Sequence, residues 1–508
     1  MRKAVEYLRP QQDPATGAFD TFGGELATVA LAAAGVDAGE LRAGPGDPSL
    51  QDFLLGEYGS PNWGDDPPAG LLTEYEQATL VAHAAGLDSA RLSSVSNLPA
   101  QVGAFWNPAT GSFGDPSSNG TAFGLLALAT TPLPRWALAP AVSFLRRNQH
   151  TDGGWTYTAA LTASARETAS EEDISGAAIA ALCEAGVPAY DPAVAAGLDY
   201  LRGRLIDASG GIEYVWGFPP GSPNADTNAW VLSGLNACGV DPQATAWTTG
   251  AGKTAVDYLL SLQVQSGPEA GGFGYEDSSG ANFYATQDAL RALAGGAFTA
   301  TPPSVRAPEP VAAGTSVPHL LAIELAPGNV RFCKVTAPAG ASLTDVLAAA
   351  KSGAEPSGCV TSFAVSDGQV VSIDGVAPEA SGDAWLLRLD RGATAVAGEQ
   401  PVGFGDVVAL RLGAAPEGTS GGPGAPAGPT GPSGAAGAAG ATGAKGATGA
   451  QGASGKPGRR GARGRRGKRG PQGQPGRKAT IGCKAKRDRR GKARLRCAVR
   501  QRHRPVGA

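Results

Sequence analysis

Apolar positions from residue 1 to about residue 300 follow helical spacing, and the same two-helix pattern returns six times. The second helix of each unit is rich in Ala and Leu and mostly stops at a glycine. Gly35 follows Ala32-Ala33-Ala34, Gly86 follows His83-Ala84-Ala85, and Gly186 follows Cys183-Glu184-Ala185. Gly239 follows Asn236-Ala237-Cys238, and Gly295 follows Arg291-Ala292-Leu293-Ala294. A helix end needing a left-handed residue selects glycine, so these five predict C-terminal stops. The third unit fills the slot with Leu125-Leu126-Ala127-Leu128-Ala129 and has no Gly there.

A further helix precedes each of these, and a glycine-aromatic loop lies between the two. The clearest loop is Asn148-Gln149 followed by Asp152-Gly153-Gly154-Trp155. Gln263 with Gly271-Gly272-Phe273-Gly274 and Tyr200-Leu201 with Ser209-Gly210-Gly211-Ile212 are siblings. Gln11-Gln12 with Gly17-Ala18-Phe19, Asn62-Trp63-Gly64 and Gly111-Ser112-Phe113-Gly114 are weaker versions. Glycine allows the tight turn, the aromatic fills the gap between helix pairs, and the Gln amide caps free backbone groups.

The pattern changes after a Pro/Ala-rich linker at 301–317. Short β-like runs lie at 320–325, 330–336, 360–366, 370–373, 385–389 and 407–412, with one helix at 343–350 capped near Ser342. They predict a small α+β domain over 318–413, in which Cys333 and Cys359 flank the helix and could be bonded. A linker at 414–427 leads to 428–476, where glycine holds every third position, the signature of a collagen triple helix. Pro is sparse there and 459–469 is crowded with like charge, so both a triple helix and a disordered linker fit. The final segment, 477–508, reads as a basic hairpin closed by Cys483 and Cys497.

Composition sharpens this division. The net charge of −3 conceals a split: residues 421–508 hold 22 of the 42 Lys and Arg but a single acid, Asp488, out of 45. An acidic body therefore carries a polycationic arm. The arm has no aromatic residue for base stacking, so anionic wall polymer or lipid headgroups suit it better than nucleic acid. No run of about 20 apolar residues predicts a membrane span. The repeat begins at once with Ala4-Val5-Glu6, without a leader, and the expectation is a chain whose true N-terminus lies upstream.

The Gln…Gly-Gly-Trp loops resemble those of squalene–hopene cyclases, protein prenyltransferase β subunits and cobalamin carriers. That resemblance implies an α6/α6 toroid. Ser342-Leu343-Thr344-Asp345, Val371-Ser372-Ile373-Asp374-Gly375, Ala384-Trp385-Leu386 and Gly405-Asp406-Val407 resemble the β domain of transcobalamin and intrinsic factor. The fold expected is therefore multidomain: an all-α toroid, a small β-grasp-like α+β domain and a collagen-like basic tail. In carriers of this kind cobalamin lies between the two domains, which implies cobalamin or a related corrinoid as ligand.

In a toroid the second helices form the inner ring, with their N-termini at the cavity mouth. The polar residues there are Glu74, Tyr75, Asn119, Asp173, Asn224, Asp226, Asn228, Tyr284 and Gln287. They are either helix caps or the lining of a polar funnel. The carrier resemblance adds Trp385. The Asp-x-Asp-Asp acid motif of class II cyclases is missing, and Glu171-Glu172-Asp173 reads as a helix start. The four His show no ligand-like spacing to Cys, so no zinc set is expected. Cys183 and Cys238 occupy equivalent repeat positions and are either buried apolar residues or, in an oxidising compartment, a pair. Three functions follow as expectations. The leading one is a secreted or wall-associated binder, non-catalytic, with a trimerising or surface-holding stalk. The second is a terpenoid-cyclase-like enzyme with acids converging in a wide apolar cavity. The third is an adhesin with no deep cavity.

Overall fold

The computed structural model describes residues 1–415, apart from 20–23, 62, 64–71, 278, 381 and 391, together with the backbone of 480–487 and 493–500. Met1–Ala425 form one compact unit and Pro426–Ala508 another.

Among the described residues, twelve helices build the first 300 positions. The outer ones are α1 (Arg2–Leu8), α3 (Leu50–Tyr58), α5 (Leu98–Ala104), α7 (Arg135–Arg147), α9 (Pro192–Arg202) and α11 (Ala255–Ser261). The inner ones are α2 (Ala27–Ala33), α4 (Leu72–Ala84), α6 (Ser118–Ala129), α8 (Glu172–Glu184), α10 (Ala225–Ala237) and α12 (Phe283–Leu293). Each inner helix packs on the next, and α12 packs back on α2, so the ring closes as an α6/α6 toroid. Inner helices are apolar nearly all round because they are covered on both sides.

Helix ends follow the sequence. Gly35, Gly86, Gly186, Gly239 and Gly295 all have φ between 66° and 90°. Past all five, the next backbone N–H reaches back to close the last turn, as Val187 N does to Leu182 O at 3.0 Å. Where the third unit lacks Gly, Thr130 and Thr131 hydroxyls donate to the carbonyls of Ala127 and Leu128, both at 2.6 Å.

The loops work as polar staples between units. Gln149 Nε2 donates to Gly153 O and to Ala193 O of α9, each at 2.7 Å. Trp155 is fully buried, and its indole N–H donates to Leu145 O at 2.8 Å. Its backbone N–H is received by Ser175 Oγ on α8 at 2.9 Å. The same role falls to Asn228 for Ile212 N and to Thr286 for Phe273 N, both at 2.8 Å. Two short hairpins complete the loops: β1 (Trp106–Asn107) with β2 (Ser112–Phe113), and β3 (Phe273–Gly274) with β4 (Ala281–Asn282).

Helices α8 and α10 approach most closely. A side chain at Gly176 would meet the Trp230 backbone at 2.8 Å, and one at Gly234 would meet Gly176 O at 2.6 Å. Cys183 and Cys238 join the far ends of the same two helices in a disulfide, with Cα atoms 5.1 Å apart.

The linker at 301–317 runs back over α3 and α4, where Arg306 N donates to Gly86 O at 2.8 Å. Next come β5 (Ser316–Ala326), β6 (Asn329–Pro338), α13 (Leu343–Gly353), β7 (Phe363–Ser366), β8 (Gln369–Ile373), β9 (Asp383–Leu389), β10 (Ala395–Val396) and β11 (Val407–Ala414). Five of them form a sheet in the order β10-β9-β11-β5-β6, in which β11 and β5 run parallel and the rest antiparallel. Helix α13 packs on β6 and opens with the capping box of Ser342 and Asp345. Cys333 and Cys359 are disulfide-bonded, their Cα atoms 6.1 Å apart. Only the two-residue β10 was not foreseen. This arrangement is the β-grasp-like domain expected from the sequence.

In the second unit, β12 (Thr480–Arg487) and β13 (Ala493–Arg500) pair antiparallel and set Cys483 opposite Cys497. The expected bond between these two cysteines and the collagen-like stretch at 428–476 lie outside the described residues.

Candidate functional site

The α+β domain sits on the outer helices, not over the ring. Leu320, Ala322, Val330 and Phe332 of its sheet are fully or almost fully buried and merge with the toroid core. Trp106 stacks edge-on against Phe332 at 5.0 Å, and its indole N–H donates to Val330 O at 2.9 Å. Asn97 Nδ2 donates to Pro318 O at 3.0 Å, and Lys334 Nζ reaches Gln101 Oε1 at 3.1 Å. Arg91 binds Asp88 and Asp406 at 2.7 Å each, and also Asp390, and its Nε donates to Phe404 O. Burial opposes the guanidinium charge, but Asp88 and Asp390 outweigh it and hold the proton more firmly than usual.

This docking leaves a groove of about 900 Å³ in the corner between the two domains. Its walls include Leu72 and Thr73 at the start of α4, Phe105 and Trp106, and Gly120 at the start of α6. Pro356 and Ser357 come from the α+β domain, and Tyr157, more than half exposed, stands on the edge. The groove therefore lies beside the N-terminal ends of α4 and α6, and none of the residues expected at a cavity mouth is among its walls.

At the N-terminal ends of two further inner helices lies an acidic quarter. Asp173 and Asp226 occupy the second positions of α8 and α10. Burial pushes the Asp173 carboxyl up to about 6, helped by Glu171 and Glu172. Burial pushes Asp226 to about 7, with Asp288 and Asp173 adding to it and Arg291 opposing. One turn deeper, Trp230, Phe123 and Phe298 meet edge-on in a triangle with centroids 5.4–5.5 Å apart. Trp230 Nε1 donates to Asp288 Oδ2 at 3.0 Å. Arg291 pairs with Asp288 at 2.7 Å, donates through Nε to Ser233 Oγ at 3.1 Å, and lies 4.4 Å over the Phe298 ring.

The other expected residues divide by position. Asn224 caps α10 by accepting from Thr227 N at 2.8 Å. Asn228 is spent on Asn224 O and Ile212 N. Tyr75 is buried against Trp63 and Phe105, and Glu74 points to solvent. Asn119 is buried at the start of α6, Tyr284 packs on Phe283 and stays partly exposed, and Gln287 is buried with Oε1 unpaired among the described residues. Trp385 is a correction. It lies fully buried in the α+β core, with its indole N–H directed to Val376 O at 3.3 Å, and lines no cleft. The acidic run also splits. Glu171 accepts from Tyr157 N at 2.9 Å and Glu172 from Val215 N at 3.0 Å, which ties down two rim loops, while only Asp173 faces the ring. Trp106, Tyr157, Asp288 and Arg291 were missed because each has a partner far off in sequence: Val330, Ser117, Trp230 and Ser233. The available signal was the i, i+4 and i+7 stripe Tyr284, Asp288, Arg291 on α12.

Comparison with known proteins gives one family match: the collagen triple helix repeat, in 20 copies, over residues 413–487. No curated protein matches the chain. Among solved structures it is similar to haptocorrin in complex with Cbi, at 10% identity over 82% of this chain and 96% of that one, TM-score 0.34. It is similar to ent-copalyl diphosphate synthase from Streptomyces platensis, at 19% identity over 54% and 50%, TM-score 0.36. It is also similar to Candida albicans protein geranylgeranyltransferase-I, at 14% identity over 57% and 83%, TM-score 0.32.

Proposed function

We propose that the chain is a non-catalytic binding protein that holds a small ligand in the groove between toroid and α+β domain. The observation that supports this reading best is the groove itself. It is lined from both domains, and the domains are locked together beside it by Arg91, Trp106 and Lys334. A concave site at a domain junction, mostly apolar with a few polar groups, is the usual setting for ligand capture. Cobalamin and cobinamide are the first candidates, since the domain order resembles that of cobalamin carriers. The collagen-repeat segment would serve as a stalk that joins three copies or holds the head at a surface, with its basic end against anionic wall polymer or lipid. Two disulfides in the head and a collagen-type segment favour an extracellular setting. Among the described residues no helix is long and apolar enough to cross a membrane.

Isothermal titration of the full chain with cobalamin and cobinamide tests the reading. Submicromolar one-site binding supports it. No heat at about 100 µM protein, an affinity weaker than about −5.5 kcal/mol, removes corrinoids as the ligand. A second reading, an acid-dependent enzyme acting on a polyprenyl substrate, is favoured by the buried Asp226 carboxyl that keeps a proton up to about pH 7. Incubation with geranylgeranyl diphosphate, followed by mass spectrometry, decides it. An Asp226-dependent product supports the enzyme, and unchanged substrate rejects it.

A further inference from the structure

The acidic quarter contains two carboxyls, Asp173 and Asp226, that form no ion pair among the described residues. Asp288 has Arg291 and the Trp230 indole as partners. Asp226 stands one turn above Trp230 on the same face of α10, and its Oδ1 is buried with no hydrogen-bond partner among the described residues. Asp173, on the neighbouring α8, accepts from the adjoining Ile174 N at 2.8 Å and from its own backbone N–H. Neither has an ion pair among the described residues. The close crossing at Gly176 and Gly234 brings the two helices, and so the two acids, together.

A second and independent sign comes from α12. Arg291 is only 3% exposed, yet its Nη2 is buried with no hydrogen-bond acceptor, and its charge is felt at Asp226. Gln287, one turn earlier, is equally buried and has an idle Oε1. Adjoining inner helices therefore bring together a carboxyl oxygen, an N–H donor and an amide oxygen that have no partner among the described residues, beside a partly exposed indole. Arg291 over Phe298 already demonstrates that this layer accepts a cation on an aromatic face.

We propose that this quarter of the ring is a binding seat for a small organic cation, a protonated or quaternary amine that also carries a hydroxyl or other oxygen. The ammonium group sits between Asp173 and Asp226 on the Trp230 indole, and the oxygen accepts from Arg291 Nη2. The seat is separate from the corner groove, so either can fail without the other. The groups that face Asp226 are Asp173 of α8, Asp288 and Arg291 of α12, and the rim Tyr275, with Glu171, Glu172 and Tyr214 behind Asp173. Ligand charge drives protons off the two acids, so binding strengthens as pH rises.

The test uses the full chain, choline, and its uncharged isostere 3,3-dimethylbutan-1-ol, followed by calorimetry and by tryptophan fluorescence against a Trp230→Phe control. At pH 8 choline should bind one site at least 10-fold more tightly than the isostere. Affinity should fall at least 10-fold at pH 5, and Asp226→Asn should lose at least 10-fold at pH 8. At pH 7 proton release, read from calorimetry in two buffers of different ionisation enthalpy, should accompany choline binding in the parent and shrink in Asp226→Asn. No choline binding overturns the proposal, as does equal binding of the isostere or an Asp226→Asn variant with parental affinity. Corrinoid titration of Asp226→Asn reports the groove independently.

Discussion

Gly176 and Gly234 leave no space for a methyl group where α8 crosses α10. Gly176→Ala or Gly234→Ala forces the helices apart, at a cost of about 1–3 kcal/mol in denaturant melts. An unchanged midpoint would mean that the helices slide freely. Glu76, buried between α4 and α6, presents the opposite problem. Burial raises its carboxyl well above the usual range, and no ion pair is present for it among the described residues. An acid with a raised folded pKa contributes full stability below its unfolded value of 4.5. That contribution is lost at about 1.4 kcal/mol per pH unit as pH rises toward the folded value. Glu76→Gln should therefore match the parent near pH 4 and exceed it at pH 8. A variant that melts lower at both values would argue for a hydrogen-bonding role instead.

The helix ends and loops were legible because their causes are local. A left-handed residue after an Ala-rich helix selects Gly, and five such glycines have positive φ. The Gln…Gly-Gly-Trp loop could be read for the same reason, down to the amide that caps backbone carbonyls. Gln149→Ala removes two such bonds to Gly153 and Ala193 and should cost about 1–3 kcal/mol, measured by thermal melts at neutral pH. Asn228 and Trp385 were misplaced for a related reason. A polar residue near a helix start serves a loop as readily as a lumen, and an indole serves a core as readily as a cleft. Spacing alone cannot separate these uses. Arg291 and Trp230 stayed hidden because an Arg in a helix reads as ordinary surface, and Ser233, which it bonds, lies 58 residues earlier.

The docking of the two domains depends on pairings that span 299 and 315 residues, Arg91 to Asp390 and to Asp406. Arg91→Met leaves three acids facing one another, partly shielded by solvent, and should cost up to about 3 kcal/mol. The linker at 301–317 should become more sensitive to limited proteolysis, and unchanged cleavage would show that apolar contacts suffice. His319 on β5 is fully buried in the α+β domain, and burial lowers its pKa. A lowered folded value for His means stability present above about pH 6.5 and lost as pH falls. The lumen acids lose theirs as pH rises from 3.8 toward 6 and 7. Two acids outweigh the single His between about pH 4 and 6, so together these groups predict a melting midpoint that falls as pH rises through that window, measurable as midpoint against pH.

Because α12 closes the ring on α2, the growing chain cannot finish its core until roughly its 290th residue has left the ribosome. Until then it is an open arc with two raw apolar flanks, one at each end. Stacked repeats of that kind can begin ordering piecemeal, each pair leaning on the last. Closure couples the two ends at once and requires a long loop to be shut, a slow step for any chain. Translation pauses or chaperone capture before α12 emerges would then govern yield more than any single contact in the finished ring.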